Sequence, residues 1–192
     1  MPGLSATSRR ATAMPADERR AAVIQATLPL LATHGETVTT RQIAEAAGVA
    51  EGTIFRVFAD KDELLLATLD AALDQGPSDA AYAAIDASLS FESQLIAAVG
   101  IIQQRIVDVW AVVSNLGPKL REQASRPLTD SEALTALFEP HRDHLTVAPR
   151  RAARMLRALT LAVTHPMLAD DAMTATEIVD HFLHGTLDGG VG

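Results

Sequence analysis

Residues 39–58, TTRQIAEAAGVAEGTIFRVF, contain two short runs of helical apolar spacing separated by a glycine. Thr39 and Gln42 have the spacing of a capping box, which satisfies free backbone groups at a helix start. Gly48 suits the tight turn that follows, and a second short helix is predicted over about residues 51–58. The predicted inward faces are Ile43, Ala44 and Ala47 in the first helix, and Ile54, Val57 and Phe58 in the second. Two short helices joined by a glycine turn are typical of a helix-turn-helix.

Helices are also predicted on both sides of this stretch. Residues 16–34 have three apolar positions at helical spacing, namely Ile24, Leu28 and Leu31. Pro29 lies inside this helix and is expected to bend it. On the other side, Asp60 and Glu63 predict the start of a helix that runs to about residue 75.

The second helix of such a motif enters the major groove of DNA. Small or polar residues are needed where it begins, because bulky side chains would hold the backbone away from the base edges. Ala50, Glu51, Gly52 and Thr53 satisfy this requirement. Phosphate donors are also needed on both flanks. The candidates are Thr40, Arg41, Arg56 and Lys61.

At these residues the chain closely resembles the TetR family of transcriptional regulators. The resemblance lies in TTRQIA at 39–44, AGV at 47–49, GTIF at 52–55, and Phe58 followed by KDEL at 61–64. It spans about residues 18–70, and the rest of the chain resembles the family only in helical character and length. The resemblance implies a sequence-specific DNA-binding regulator. We expect a ligand-responsive repressor that binds a near-palindromic double-stranded operator as a homodimer.

The resemblance also implies roles for individual residues. Thr40, Thr53 and Lys61 are expected to contact phosphates, whereas Arg41, Glu51 and Gly52 lie where family members approach bases. Two positions depart from the family pattern, because Phe55 stands where tyrosine is usual and Val57 where histidine is frequent. Phe55 remains a candidate contact, and Arg56 is expected to compensate by pairing with a phosphate. Glu51 has two interpretations, since it can accept a hydrogen bond from cytosine or stabilise the positive end of the helix dipole.

The predicted fold is all-α, with about nine helices in two parts. A polar arm over residues 1–15 precedes a DNA-binding domain over 16–60 and a connecting helix over 61–76, after which Gly76-Pro77 is expected to break the chain. A larger helical domain for effector binding and dimerisation follows over residues 77–192. Its predicted elements are a short segment at 82–87 and helices at about 91–115, 129–145, 150–165 and 174–187. Thr129 is predicted to cap the helix at 129–145, and Thr174 the helix at 174–187.

The formal net charge of −8 is unevenly distributed. Residues 1–61 carry seven basic and six acidic side chains, a net charge of +1. The remaining residues carry nine basic and eighteen acidic side chains, a net charge of −9. The acidity therefore belongs mainly to a part of the chain other than the helix-turn-helix.

Composition restricts the function classes. The absence of cysteine excludes disulfides, thiolate nucleophiles and cysteine-based zinc sites. A signal peptide is not indicated, and no uninterrupted apolar stretch approaches membrane-spanning length, so a cytoplasmic protein without membrane contact is expected. Residues 77–192 contain no nucleophile-base pairing and no glycine-rich phosphate loop, which argues against an enzyme. No cofactor or metal is expected.

The resemblance implies two functional surfaces in the larger part. The last two long helices are expected to form a dimer interface as a four-helix bundle. Their apolar stripes are Met155, Leu156, Leu159 and Val163, and Ile178, Phe182 and Leu183. A small-molecule cavity is also implied, with Val109, Trp110, Val113 and Phe138 as candidate lining. For both sets, packing within the chain is the alternative.

Several charged groups favour simpler interpretations. The basic cluster Arg150, Arg151, Arg154 and Arg157 is predicted to be a solvated, ion-paired face, with an anionic effector site as the alternative. The pairs His141 and His144, and His181 and His184, have a spacing that metal ligands use, but surface or interface histidines are favoured. Arg9 and Arg10 are predicted to lie in a solvated tail rather than a minor-groove arm.

A second function class remains open at this point. The helix-turn-helix could dock a protein, with the acidic part as its scaffold. The two hypotheses differ in salt dependence, because DNA binding loses orders of magnitude in affinity between low and moderate salt.

Overall fold

The computed structural model describes residues 15–124 and 129–185, which are helical and contain no strand, as predicted. The predicted arm, with Arg9 and Arg10, lies outside the described residues apart from Pro15. The ten α-helices of the described ranges are α1 Ala16–His34, α2 Thr40–Ala46, α3 Glu51–Ile54, α4 Lys61–Leu73, α5 Gly76–Ala83, α6 Phe91–Val113, α7 Pro118–Ala124, α8 Glu132–Ala136, α9 Pro149–Thr164 and α10 Ala175–His184. Two short 3-10 helices cover Gly35–Thr37 and Glu139–His144.

Helix α1 continues through Pro29. Its buried positions are Val23, Thr27 and Leu31, whereas Ile24 and Leu28 are only partly buried. The predicted stripe was therefore displaced by one residue at two of its three positions. Thr27 is accommodated in the core because its hydroxyl donates to the Val23 carbonyl at 2.7 Å, which leaves no unpaired polar atom.

The capping box before α2 is confirmed. The Thr39 amide donates to the Gln42 side chain at 2.8 Å, and the Gln42 amide donates to the Thr39 hydroxyl at 3.2 Å. Helix α3 is shorter than predicted, because regular α-helix ends at Ile54 and residues 55–57 form a turn. The chain nevertheless stays helix-like to Phe58, whose amide donates to the Ile54 carbonyl at 3.0 Å.

The helix break predicted at Gly76-Pro77 lies two residues earlier, at Asp74 and Gln75, and Gly76 and Pro77 themselves lie in the first turn of α5. Proline is tolerated there because an amide in the first helical turn has no partner within the helix. The preceding helix α4 ends at Leu73, two residues earlier than predicted, and begins after Asp60, whose carboxylate accepts from the Glu63 amide at 2.8 Å.

The region after α6 also differs from the prediction. Pro118 begins a short helix, α7, that was not among the predicted elements. Ser131 rather than Thr129 caps α8, with its hydroxyl accepting from the Leu134 amide at 3.0 Å. Helix α8 ends at Ala136 because Pro140 has no amide to bond the Ala136 carbonyl, and a 3-10 helix follows.

The buried side chains form two clusters. The first cluster contains side chains of the four helices α1, α2, α3 and α4, of the end of α6 and of α7. Its members include Leu31, Ile43, Ile54, Leu64 and Val112. The second cluster joins α5, most of α6, α8, α9 and α10, through residues such as Leu95, Ile102, Phe138, Leu156 and Ile178. Helix α6 therefore belongs to both clusters and connects the two parts of the molecule.

Helix α6 is also long and apolar enough, by length and composition alone, to cross a membrane. Arg105 and Asp108 interrupt it, and its buried residues pack into the two clusters. These contacts make it the central helix of the fold, which positions both the helix-turn-helix and the cavity described below.

Candidate nucleic-acid interface and ligand cavity

The turn between α2 and α3 is set by Gly48 and by backbone hydrogen bonds. Gly48 has φ of 65°, a left-handed conformation that glycine adopts without steric cost. The Val49 amide donates to the Ala44 carbonyl at 2.9 Å, and the Thr53 amide donates to the Ala50 carbonyl at 2.8 Å. Ile43 and Ile54 are fully buried beneath the turn, so the opposite side of the two helices faces outward.

The candidate DNA contacts divide into exposed and partly buried groups. Five are exposed, namely Arg41, Glu51, Gly52, Phe55 and Arg56, whereas Thr40, Thr53 and Lys61 are partly buried. In residues 15–124 and 129–185, no hydrogen bond or ion pair of the Arg41 or Arg56 side chain is found. These two guanidinium groups retain all their donors, as a phosphate or base contact requires.

Glu51 has a contact that neither sequence interpretation anticipated. Its carboxylate accepts a hydrogen bond from the Thr40 hydroxyl, eleven residues earlier. The carboxylate also lies in the first turn of α3, where negative charge is favourable. Glu51 therefore links the starts of α2 and α3. Its partner is the Thr40 hydroxyl, which is expected from the sequence to contact a phosphate.

Lys61 is also engaged within the chain. Its ammonium group donates to the Glu36 carbonyl at 2.6 Å and joins the start of α4 to the first 3-10 helix. An ammonium group has three donors, so two remain for another partner.

The two departures from the family pattern lie in different environments. Phe55 is 50% exposed, an unusual position for a large apolar ring. Val57 packs partly against the first cluster, and its carbonyl accepts from Arg20 at 2.6 Å. The Phe55 ring is therefore available at the surface, whereas Val57 contributes to the support of the motif.

Arg20 is a supporting residue that sequence reasoning missed. Its guanidinium contacts the Val57 carbonyl and the Glu63 carboxylate, the latter at 3.0 Å, and lies 4.2 Å from the centre of the Phe58 ring. The second oxygen of Glu63 accepts from the Ala59 amide at 2.6 Å, and this hydrogen bond, followed by Arg20, lowers the pKa of Glu63. Arg20 thus ties α1 to the end of the motif. No local spacing signals a pair 43 residues apart.

The helix-turn-helix is joined to the larger part at the turn between α6 and α7. The Glu36 carboxylate accepts from the Gly117 amide at 2.9 Å, and the Asn115 side chain donates to the Ala32 carbonyl at 2.6 Å. Gly35 has φ of 55°, and a Cβ atom there would lie 2.1 Å from the Asn115 carbonyl oxygen. The approach of these two backbones therefore requires glycine at position 35.

A cavity of about 960 Å³ lies between α4, α5, α6 and α9. Val109, Trp110 and Val113, three of the four predicted residues, line it. Phe138 does not line it, because its fully buried ring packs in the second cluster beside Phe91, with ring centres 5.6 Å apart. The volume is typical of a site for a drug-sized molecule.

Comparison with known proteins decides the family. The model described as "Bacterial regulatory proteins, tetR family" matches residues 23–68. The chain is 30% identical over 167 residues to HTH-type transcriptional repressor Rv3405c of Mycobacterium tuberculosis H37Rv, a match that covers 81% of this chain and 84% of that protein. HTH-type transcriptional regulator Mb3439c of Mycobacterium bovis matches with the same identity and coverage.

The chain belongs to the TetR family of transcriptional regulators.

Solved structures of known regulators share its fold. The regulator LfrR from Mycobacterium smegmatis, solved with proflavine, has a TM-score of 0.53 and 23% identity, covering 88% of this chain and 98% of that chain. The fatty acid degradation regulator FadR from Bacillus halodurans has a TM-score of 0.55 and 18% identity, covering 87% of this chain and 99% of that chain. These structures show that the helix arrangement extends over the larger part of the chain as well as the helix-turn-helix.

The apolar stripes expected to form the dimer interface of this TetR-family regulator are only partly at the surface. Met155 is 49% exposed and Leu183 is 37% exposed, and Leu159, Val163 and Phe182 are partly buried. Leu156 and Ile178 are fully buried in the second cluster. These two side chains are therefore core residues of the chain, because the faces of α9 and α10 that carry them pack against other helices of the same monomer.

The basic cluster on α9 is largely paired within the regulator. Asp130 accepts from Arg150 and from Arg154, the latter at 2.7 Å, and the Thr129 carbonyl accepts from Arg157. Hydrogen bonds from Arg154 first and Arg150 second hold the pKa of Asp130 well below its ordinary range. The ion-paired interpretation is confirmed for Arg150 and Arg154.

In the described parts of the regulator, the histidine pairs belong to no group of three or more His, Asp or Glu side chains that could hold a metal ion. His141 stacks on Phe91, with ring centres 4.0 Å apart, and His184 lies 3.1 Å from Asp180. Each of these contacts accounts for a histidine without a metal.

Proposed function

We propose that this TetR-family protein is a cytoplasmic, non-enzymatic, ligand-responsive repressor that binds a near-palindromic operator as a homodimer. The observation that carries the proposal is the pair of exposed guanidinium groups, Arg41 and Arg56, on either side of the small residues that begin α3. The repressor assignment has support in the description of the relative Rv3405c as a transcriptional repressor.

The residue roles follow from exposure and pairing. Arg41 and Gly52 approach the bases, since Gly52 has open space where a Cβ atom would be and allows close approach. Arg56, Thr53 and the remaining donors of Lys61 contact phosphates, and the exposed ring of Phe55 packs on the sugar-phosphate backbone. Glu51 orients Thr40 through their hydrogen bond, so that both side chains act together.

Dimerisation involves the outer edges of α9 and α10. Met155, Leu159, Val163, Phe182 and Leu183 are the candidate contacts, because some or all of each side chain remains accessible. Sedimentation at micromolar concentration tests this step, and a monomer would contradict it. Two reading heads then contact half-sites about one helical turn apart, or a near multiple of that spacing.

The cavity provides the site for the effector. A ligand bound between α4, α5, α6 and α9 can displace α6, which carries the Asn115 and Gly117 contacts to the helix-turn-helix at its end. A small rotation would change the separation of the two recognition helices and release the operator. The structure of LfrR was solved with proflavine and that of SmeT with triclosan, which supports ligand binding for this fold.

Selection of bound sequences from random DNA tests the function directly. We expect the wild-type chain to enrich a near-palindrome, with an affinity that falls by orders of magnitude between low and moderate salt. Enrichment of a single asymmetric half-site would contradict the coupled dimer. Absence of salt-dependent DNA binding would instead favour the protein-docking alternative.

The same selection with Glu51→Ala examines the role of that carboxylate. If Glu51 reads a base, the preference at one position of each half-site is lost, at a cost of about 1–3 kcal/mol for that base pair. If Glu51 acts only on Thr40 and the helix dipole, the affinity falls while the selected sequence is unchanged. Thr40→Val is the matched variant, because it removes the other partner of the hydrogen bond.

A further inference from the structure

The inner wall of the cavity carries an unpaired hydroxyl group. Tyr82, on α5, is only 5% exposed and lines the cavity. Its hydroxyl has no hydrogen-bond partner among residues 15–124 and 129–185, whereas every sealed side-chain nitrogen or oxygen of those residues has one. The hydroxyl is therefore not sealed in the protein, and Tyr82 forms part of the cavity wall. A tyrosine buried to this extent normally has a polar partner.

Two cationic side chains line the same cavity as Tyr82. Arg105 of α6 and Arg157 of α9 both line the cavity, and their positive charges act on the Tyr82 phenol. Each is anchored to the backbone, Arg105 by donating to the Ala72 carbonyl at 2.6 Å and Arg157 by donating to the Thr129 carbonyl. A guanidinium group has five N–H donors, so each retains donors for a ligand.

The protonation state of Tyr82 makes it a donor. Burial raises the pKa of Tyr82 to about 12. Arg157 and Arg105 oppose this rise only in part, and the negative charge of Asp79, on the same helix, adds to it. The phenol therefore keeps its proton at neutral pH and can donate it to a hydrogen-bond acceptor. Three donors from three different helices, one neutral and two cationic, suit an anionic group of small size.

The rest of the lining has the opposite character. Ile102, Ile106, Val109 and Leu161 provide an apolar wall, and Trp110 meets His165 edge-on with ring centres 4.7 Å apart. The two carboxylates that line the cavity belong to the exposed residues Asp70 and Asp74, and the charge of Asp74 acts on Arg105. Asp74 already accepts from the Gly76 amide at 3.2 Å.

We propose that the cavity binds a carboxylic acid with an apolar body, whose carboxylate contacts Tyr82, Arg105 and Arg157. The apolar body lies against α6, along Ile106, Val109 and Trp110. The role of this acid as an effector rests on the proposed function above, but its binding does not. The site can therefore be tested on the full chain without DNA.

Calorimetric titration with three dodecyl compounds, at concentrations where each is monomeric in solution, tests the headgroup. Dodecanoate, dodecanol and dodecyltrimethylammonium share the apolar chain and differ in charge. We expect dodecanoate to bind at least about tenfold more tightly than dodecanol, because hydrogen bonds to a charged group are stronger than those to a neutral one. Equal binding of dodecanoate and dodecanol, or tighter binding of the ammonium compound at Asp70 and Asp74, would overturn the proposal.

Two variants locate the headgroup. Tyr82→Phe removes one hydroxyl and is expected to weaken dodecanoate binding about tenfold and dodecanol binding distinctly less, because a hydrogen bond to a neutral hydroxyl is weaker. Arg157→Gln should act in the same direction. Arg151→Gln is its control, because Arg151 is an exposed residue of the same helix that does not line the cavity. An equal loss of both ligands in Tyr82→Phe would contradict a headgroup contact.

The failure of this inference is distinguishable from the failure of the proposed function. If the chain binds an operator but does not prefer the acid, the carboxylate site is wrong and the regulator stands. If dodecanoate binds through Tyr82 but leaves operator affinity unchanged, the site stands and the role of the cavity in regulation is wrong.

Discussion

The helix-turn-helix carries its functional groups on the outer surface of the protein, whereas the functional groups of the cavity lie on its inner wall. Around the motif, Arg41 and Arg56 project from the surface of a small closed core, and the residues assigned to DNA fall within about two dozen positions of the chain. Around the cavity, the polar groups of Tyr82, Arg105 and Arg157 face inward from three helices. The residues of a DNA-reading surface can come from one short stretch of the chain, whereas an internal site is formed only when distant segments pack together.

The largest expected effect tests whether the two parts depend on each other. Gly35→Ala would force a non-glycine residue to φ of 55° and place its Cβ 2.1 Å from the Asn115 carbonyl oxygen. We expect a loss of about 3 kcal/mol or more in the free energy of unfolding. For a chain of this length the midpoint of thermal unfolding should fall by roughly 6–12 °C.

Gly48→Ala is the matched control for that substitution. Gly48 has a similar φ of 65°, but nothing lies within 4 Å of an added Cβ atom. It should lose only about 1–2 kcal/mol, the cost of the left-handed conformation alone. Equal destabilisation by the two variants would show that the contact between Gly35 and Asn115 adds nothing.

A second comparison concerns charged contacts that support the motif. Arg20→Met removes the contacts to the Val57 carbonyl, Glu63 and Phe58. We expect a loss of about 1–2 kcal/mol, limited by the partial exposure of the pair. Lys119→Met removes a pair with Asp62 whose two side chains are 72% and 69% exposed. Its loss in chemical denaturation should be clearly smaller than that of Arg20→Met, because solvent screens an exposed ion pair.

A smaller effect distinguishes the two parts in DNA binding. Arg56→Ala should weaken binding to all sequences alike, by about threefold to tenfold, and should reduce the slope of log affinity against log salt by about one. Arg151→Ala, an exposed arginine of the acidic part, should change neither quantity. Fluorescence anisotropy at several salt concentrations measures both. A loss confined to one operator would contradict the phosphate role of Arg56.

The smallest effect appears at acid pH. Because Arg154 and Arg150 lower the pKa of Asp130 in the folded state, its charge stabilises the fold above its ordinary pKa of 3.8. That contribution is lost as the pH falls below this value. Asp130→Asn should therefore reduce the pH dependence of stability in this range, measured by thermal unfolding at a series of acid pH values. Asp143→Asn, at an exposed position of the second 3-10 helix, should change it less.

Local signals predicted much of the helix-turn-helix. The caps at Thr39, Asp60 and Thr174 were read correctly, because each is a contact over three residues. The differences at Gly76-Pro77 and Thr129 arose where one signal fits two structures. Proline can end a helix or begin one, and both Thr129 and Ser131 are suitable caps. The packing of the helices decided between these alternatives at each position.

Pairings over long distances in the chain were not predictable in the same way. Arg20 with Glu63 and Thr40 with Glu51 join groups whose spacing has no helical or turn meaning. The assignment of Leu156 and Ile178 to a dimer interface failed for a related reason. Both residues belong to apolar stripes, but an apolar stripe in a sequence does not indicate whether it packs against the same chain or against a second one.

The sequence by itself determined the all-α class, the helix-turn-helix and the separation of a slightly basic motif from an acidic body. These properties depend on composition, apolar period and contacts between neighbouring residues. The tertiary structure alone decided that α6 belongs to both clusters, that Gly35 meets Asn115, and that Tyr82, Arg105 and Arg157 face one cavity. The physical reason is that burial and close approach arise from how helices pack, and the chain order of their residues does not encode that packing locally.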